Sequence, residues 1–373
     1  MKFVIERGEL LKALGHVTSV VERRTTIPIL SNILMRAVSG SLQFNATDLE
    51  REVSEKCEVD LHSEGALTVS AHLLHDIARK LPDVSRVELK GDIENGRLLI
   101  SSAQSRFALQ TLPAEDFPDL TAGEMSHEFM LQAHKLKRLI EKTRFAISTE
   151  ETRYYLNGIF LHVAHAPDET STLRAVATDG HRLAQSEISL PNGASGMPGV
   201  IIPRKTVSEL HRLLEDGERE VIIQVSSNKV RFEIGHILLT SKLIDGQFPD
   251  YARVIPQNNS KKMQVSNTGF AKAVDRVSTI ASERGRAVKL NITSNRLMLS
   301  VNNPEGGSAT EELDINYNAD DLEIGFSARY LLDIMGQLES EKITFLLADA
   351  GSPTLIRDTE DSSVLYVLMP IRV

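Results

Sequence analysis

The stretch Val200–Asp216, VIIPRKTVSELHRLLED, decides how the chain is read. It opens as the end of a buried strand, turns at Pro203 and continues as an amphipathic helix. Val207, Leu210, Leu213 and Leu214 fall on one face of that helix. Proline is compatible with a helix start because the first helical N–H groups have no intrahelical acceptor. The same unit recurs upstream as Thr68–Asp83, TVSAHLLHDIARKLPD, and downstream as Ile324–Ser340, IGFSARYLLDIMGQLES. Aligning Asp76, Glu209 and Asp333 gives spacings of 209 − 76 = 133 and 333 − 209 = 124 residues. A unit of domain length, present three times, predicts three tandem copies of one fold.

A second helix precedes each copy of the first: Phe3–Leu14, Phe129–Ile147 and Met263–Ala281. Each begins as a short alternating strand and passes into helical periodicity, as at Leu136, Leu139 and Ile140. Around the helices lie short β-like runs such as Leu42–Ala46, Arg97–Ser101, Ile159–Val163, Glu220–Val225, Lys229–Ile234, Arg296–Val301 and Lys342–Leu347. Asn95-Gly96, between Val87–Lys90 and Arg97–Ile100, is a hairpin signal. The first two copies close on the same turn, Phe117-Pro118-Asp119 and Phe248-Pro249-Asp250, and the third closes on Tyr366–Val373. Polar segments Thr121–His127 and Pro256–Lys262 read as linkers, which places domains at 1–125, 126–255 and 256–373. Each domain is then an α+β unit whose antiparallel sheets cover two helices.

The 373 residues carry a formal net charge of −9, which argues against a chain that grips nucleic acid over its whole surface but leaves room for a local basic face. Trp is absent and aromatics make up 5%, so a stacking platform for single strands is not expected. No run is long enough to span a membrane, and the N-terminus lacks a signal-type apolar stretch. Cys57 is the single cysteine, so no intrachain disulfide can form and a reducing, cytoplasmic setting is expected.

Catalytic signatures are mostly missing. There is no phosphate loop ending in Lys-Ser/Thr, no G-x-G-x-x-G after a strand and no H-E-x-x-H. His72 and His75 share a helix face without accompanying carboxylates or cysteines, so no metal and no cofactor is expected. Thr178-Asp179-Gly180-His181 reads as a turn, with no nucleophile signalled nearby. Basic residues gather on helices: Lys135, Lys137, Arg138, Lys142 and Arg144 against Glu141, with Arg204-Lys205 and Arg79-Lys80 on the companions. Alone this is a solvated face; three repeats would bring such helices to one side of the molecule.

Several of these segments resemble the bacterial β sliding clamp family, the processivity subunit of DNA polymerase III. Those carrying it are Ile27-Pro28-Ile29-Leu30, Thr47-Asp48-Leu49-Glu50, Ser105-Arg106-Phe107, Arg153–Gly158 (RYYLNG), Ala177–Leu183 (ATDGHRL), Phe248–Tyr251 (FPDY), Asn302–Glu305 (NNPE) and Met369-Pro370. The resemblance runs from Met1 to Val373, and RYYLNG with ATDGHRL is its most specific part. It implies three domains of the DNA clamp fold in a head-to-tail homodimeric ring, with helices lining the hole, antiparallel sheets outside and duplex DNA passing through. Contact with phosphates would be independent of sequence and sensitive to salt, and retention would come from topology. The chain would not be an enzyme. Its partners would be duplex DNA, the polymerase III alpha subunit, the clamp loader, and other clamp-binding polymerases and repair proteins.

The resemblance also implies site residues. A hydrophobic pocket for partner peptides between the second and third domains would comprise Leu156, Thr178, Gly180, His181, Arg182, Leu183, Pro249, Arg253, Val254, Tyr330, Val367, Met369, Pro370 and Arg372. Arg182 would fix the peptide at the rim. DNA-facing positions would include Arg24, Arg79, Lys80, Lys137, Arg138, Arg153, Tyr154, Tyr155, Arg204 and Lys205. Phe107 and Leu109, on an edge strand, would meet Ile280 and its helix across the dimer interface. Two other classes stay open on residues alone: a nuclease, which would need clustered carboxylates for Mg²⁺, and a peptide-binding scaffold that never meets DNA.

Overall fold

The computed structural model describes residues 1–92, 94–120, 123–165, 170–214, 220–281 and 287–372. Among the described residues six α-helices recur in pairs: α1 (Arg7–Val17) and α2 (Ala71–Lys80), α3 (Ala133–Arg144) and α4 (Arg204–Leu213), α5 (Asn267–Ser278) and α6 (Ala328–Met335). Their apolar spacing is used as the periodicity requires. α4 buries Val207, Leu210 and Leu213, and α5 buries Phe270, Ala273, Val274 and Val277. Ser266 and Ser327 cap α5 and α6, their hydroxyls accepting from the amides of Gly269 and Tyr330 and so satisfying one otherwise unpaired donor each. Pro203 is the last residue of the strand Val200–Pro203, and α4 starts one residue later.

The chain forms two compact units, residues 1–136, 191–198 and 205–243 in one, and 137–190, 199–204 and 244–373 in the other. The first holds a thirteen-stranded antiparallel sheet that runs from His127–Gln132 through Glu220–Val225, Lys229–Ile234 and Ile237–Lys242 into the strands of the first repeat. The join is the pairing of Ile237–Lys242 with Arg51–Glu58. The second unit holds a nine-stranded sheet joined where Arg182–Ser189 pairs with Val364–Leu368, and a four-stranded sheet. The central repeat is therefore shared: one of its sheets continues into the first repeat, the other into the third. Every edge that a repeat would expose at these joins is closed by a neighbour's strand. In the first unit α1 packs on α2, and in the second α5 packs on α6.

The expected strands all form, each within an observed element. The linkers are shorter than their composition suggests. His127 already belongs to a strand, as do Lys261 and Lys262, because their backbone groups are taken up by Val225 and by Leu347 and Leu346. Thr121 lies outside the described residues. The Asn95-Gly96 hairpin is present, with Asp92 opposite Arg97 and Gly96 at φ +58°.

The repeats match in detail at one turn. In Thr178–Arg182 the Asp179 Oδ1 accepts from the amides of His181 and Arg182, while Asp179 Oδ2 accepts from Arg182 Nε at 3.1 Å. In Thr47–Arg51 the Asp48 Oδ1 accepts from Glu50 and Arg51, and Oδ2 from Arg51 Nε at 3.0 Å. The residue between takes positive φ in both, Gly180 at +87° and Leu49 at +72°. Glycine suits the left-handed backbone at 180, whereas a Cβ there, 2.5 Å from Arg153 Nη1, would only displace the end of a flexible side chain.

Candidate functional site

In the second unit, a cleft of about 310 Å³ opens where the Thr178–Arg182 turn, the 249–254 segment and the chain end converge. Leu183 stands opposite Val367 in the Arg182–Ser189 and Val364–Leu368 strand pair, and the Met369 amide donates to the His181 carbonyl at 2.9 Å. Of the residues expected in a partner pocket, Leu156, Thr178, Gly180, His181, Arg182, Leu183, Pro249, Val254, Val367 and Met369 line this cleft. Leu183, Val367 and Leu156 are buried walls, whereas Met369 is 38% and Val254 49% exposed. The cleft thus offers an apolar floor with two adaptable groups at its mouth.

The other expected members sit outside the wall. Arg253 turns to solvent and pairs with Asp250 at 2.7 Å. Tyr330 lines a neighbouring cavity of about 420 Å³, and Pro370 and Arg372 follow Met369 along the surface. Four residues complete the cleft unforeseen as pocket members: Arg153, Tyr155, Asp250 and Tyr251. Tyr251 follows directly from the FPDY turn, a signal present in the sequence. Arg153 and Tyr155, expected at DNA, reach the cleft because the short helix Glu151–Leu156 turns them towards Gly180 and the 246–250 segment.

Arg182 lines the cleft, but most of its hydrogen-bonding capacity is committed elsewhere than to the mouth. Its side chain is 5% exposed, and its guanidinium donates to Asp179 Oδ2, to Asp333 Oδ2 at 2.5 Å and to the Phe145 carbonyl at 2.6 Å. The guanidinium also lies 4.3 Å from the Tyr330 ring centre. With Nε, Nη1 and Nη2 all engaged, Arg182 holds the turn in place. The polar groups left at the mouth are His181, Asp250 and Arg153, whose own guanidinium binds Glu150 at 2.7 Å.

Behind the cleft the aromatic rings of Phe160, Phe248 and Tyr251 pack together. His162 Nδ1 donates to the Val163 carbonyl, so its Nε2 accepts from the Tyr251 hydroxyl at 2.9 Å. That hydroxyl in turn accepts from Arg174, which is paired with Glu187 at 2.7 Å. Burial pushes the His162 pKa down, and the nearby Arg174 charge adds to the effect, so the ring stays neutral. Burial likewise raises that of Tyr251.

Basic residues expected at DNA divide into two groups. Arg24, Lys80 and Arg204 are exposed, as is Tyr154 at 53%, and Arg204 lines the 420 Å³ cavity with Arg144 and Arg329. The others carry partners. Arg79 pairs with Asp76 at 3.2 Å, and Lys205 with Glu22 at 2.7 Å. Arg138 is held by Glu339 and Asp361, so it is not a free cation on the helix face. Lys142 is buried against Glu339 and the Gln337 carbonyl, and Lys137 is half-buried. Acids of the third repeat, grouped apart in sequence, therefore neutralise part of α3. Burial works to raise the Asp358 pKa, but hydrogen bonds from Ser340 and from the amides of Glu339 and Glu360 outweigh it and hold it at about 2.

Phe107 is 38% exposed on the strand Ser105–Leu112, whose first six residues pair only with Arg97–Ser102 and leave an open edge. Leu109 is buried in its own unit and unavailable as a surface contact. Ile280 lies two residues beyond α5, its carbonyl accepting from Asn303. Among the described residues no three His, Cys, Asp or Glu side chains are grouped to hold a metal, and no helix is long and apolar enough to cross a membrane. The Cys57 thiol, pushed up to about 12 by burial, stays protonated.

Comparison with known proteins agrees along the whole chain. Family models for the N-terminal, central and C-terminal domains of the DNA polymerase III beta subunit match residues 1–121, 130–250 and 252–372. A beta sliding clamp from Caulobacter vibrioides is 53% identical over 373 residues, covering all of both chains. The crystal structure of a sliding clamp from Bartonella birtlesii bound to griselimycin superposes with a TM-score of 0.97 at 53% identity, again over all of both chains. A Caulobacter crescentus clamp with polyethylene glycol in a putative tethering region gives a TM-score of 0.97 at 53% identity, over 100% of this chain and 99% of that one. Three tandem clamp domains, matched from end to end, place this chain in the DNA polymerase III beta subunit family, the sliding clamps.

Proposed function

We propose that two copies of this chain close head to tail into a ring that encircles duplex DNA and tethers the replicative polymerase during processive synthesis. The ring works in the cytoplasm and without catalysis of its own. In this reading the polymerase III alpha subunit, the clamp loader and other polymerases and repair proteins each insert a short apolar segment into the cleft at Leu183, Val367 and Met369. The 1–125, 126–255 and 256–373 segments act as the three domains. The observation that carries the proposal is the cleft itself, where RYYLNG, ATDGHRL, FPDY and the chain end meet around a floor of apolar side chains. Exposed Arg24, Lys80 and Arg204 supply contacts to phosphate that do not read sequence.

Deletion of Met369–Val373 tests the cleft. The segment is tied by the amides of Met369 and Ile371 to the His181 and Gly325 carbonyls, and Met369 and Ile371 are each 38% exposed. The truncated chain should lose calorimetric binding of a short Gln/Leu/Phe peptide yet keep its dimer. Undiminished binding would remove the assignment. Loading onto nicked circular DNA followed by loss on linearisation tests the ring.

A further inference from the structure

The join between the first and central repeats, inside the first unit, contains a counterpart of the cleft just described. The strand registers fix the correspondence. In the second unit Leu355 pairs with Val367, Val367 with Leu183 and Leu183 with Thr178. In the first unit Arg231 pairs with Thr240, Thr240 with Glu52 and Glu52 with Thr47. Two residues before each threonine stand Val176 and Asn45. The turn Phe117-Pro118-Asp119-Leu120 covers this second platform as Phe248-Pro249-Asp250-Tyr251 covers the first.

The scaffold is the same and the chemistry is not. Leu355, Val367, Leu183 and Val176 belong to a packed apolar cluster in the second unit. Their counterparts Arg231, Thr240, Glu52 and Asn45 are polar or charged, and all four face a cavity of about 470 Å³. Glu52 is committed, one oxygen accepting from Asn45 Nδ2 at 2.9 Å and the other from the Leu120 amide at 3.0 Å. Arg231 donates through Nη1 to Gln224 at 3.2 Å, but its Nε is buried with no partner. Arg36, exposed, lines the same cavity, and neither arginine is paired with a carboxylate among the described residues. A buried guanidinium N–H without an acceptor is costly, and an apolar side chain fills the equivalent place in the other join.

We propose that this cavity is a second binding site, specific for an acidic peptide whose carboxylate is received by Arg231 and Arg36. Leu34, Phe117 and Leu238 in the same wall offer apolar contact for the residues flanking that acid. The site differs from the apolar cleft in what it selects.

Calorimetric titration of the full-length protein tests this, using a blocked tetrapeptide of alternating glutamate and leucine, its glutamine counterpart, and sodium succinate. The glutamate peptide should bind, and its glutamine form should bind about tenfold or more weakly, the loss expected when a charge-assisted hydrogen bond goes. Arg231→Leu installs the residue found at the matching place, so it should fold, and it should lose binding to the same extent. Arg36→Gln alters an exposed side chain and should weaken binding with an unchanged melting temperature. The Met369–Val373 deletion should leave binding intact, which separates this site from the apolar cleft. Equal binding by the parent and both arginine variants would overturn the proposal, as would failure of the glutamate peptide to bind. Succinate binding as tightly as the peptide would overturn the assignment to peptides.

Discussion

Replacing Arg182 separates the structural reading of this residue from the one its position in ATDGHRL suggests. Its side chain is 5% exposed and bridges Asp179, Asp333 and the Phe145 carbonyl while stacking on Tyr330. Arg182→Ala leaves two carboxylates and a carbonyl without their donor. Removing one partner from a buried pair costs about 3–5 kcal/mol. Asp333 is 34% exposed and has Arg329 at 3.9 Å to fall back on, which places the expected loss at the lower end, about 3 kcal/mol. Arg182→Lys keeps the charge but can reach fewer of the acceptors and cannot stack, so about 1–2 kcal/mol is expected. Thermal melting and calorimetry with a Gln/Leu/Phe peptide should show both variants losing stability, with peptide affinity falling in step because the turn that shapes the cleft is loosened. If Arg182→Lys melts like the parent while peptide affinity drops by about tenfold, the guanidinium contacts the peptide directly and the strut reasoning is refuted.

Phe107→Ala should weaken the dimer by about 2 kcal/mol with the fold intact, measured by sedimentation at low concentration, whereas Leu109→Ala should lower melting temperature instead. Arg204→Ala should flatten the salt dependence of duplex binding by about one unit in log–log slope, with Lys205→Ala doing less because Glu22 already offsets that charge. Glu22→Gln should accordingly tighten DNA binding. Stability should fall as pH drops below about 6.5, since the unfolded chain protonates His162 while the folded chain, with its depressed pKa, does not. The slope from this one group is at most about 1.4 kcal/mol per pH unit, and His162→Gln should remove it from the denaturation profile.

Periodicity alone was enough to place six helices in three pairs, because a helix that must bury one face writes that face into its sequence at the spacing seen in Val207, Leu210 and Leu213. The three-fold repeat and the FPD turns were likewise legible, since turn chemistry is local. What the one-dimensional pattern could not carry was pairing between distant segments. It read Lys142 and Arg138 as a basic face, and only the packing brought Glu339 and Asp361 against them. It read Arg182 as a rim group, and only the fold surrounded it with Asp179, Asp333 and Phe145. The division of the central repeat between two sheets also had no local signature, because an edge strand is completed by whichever neighbour the chain delivers to it. Sequence therefore determined the repeats, the helices and the turns, whose causes lie within a few residues. Tertiary structure decided which charges remain free and where the cleft lies, because both depend on contacts between residues as far apart as Leu183 and Val367.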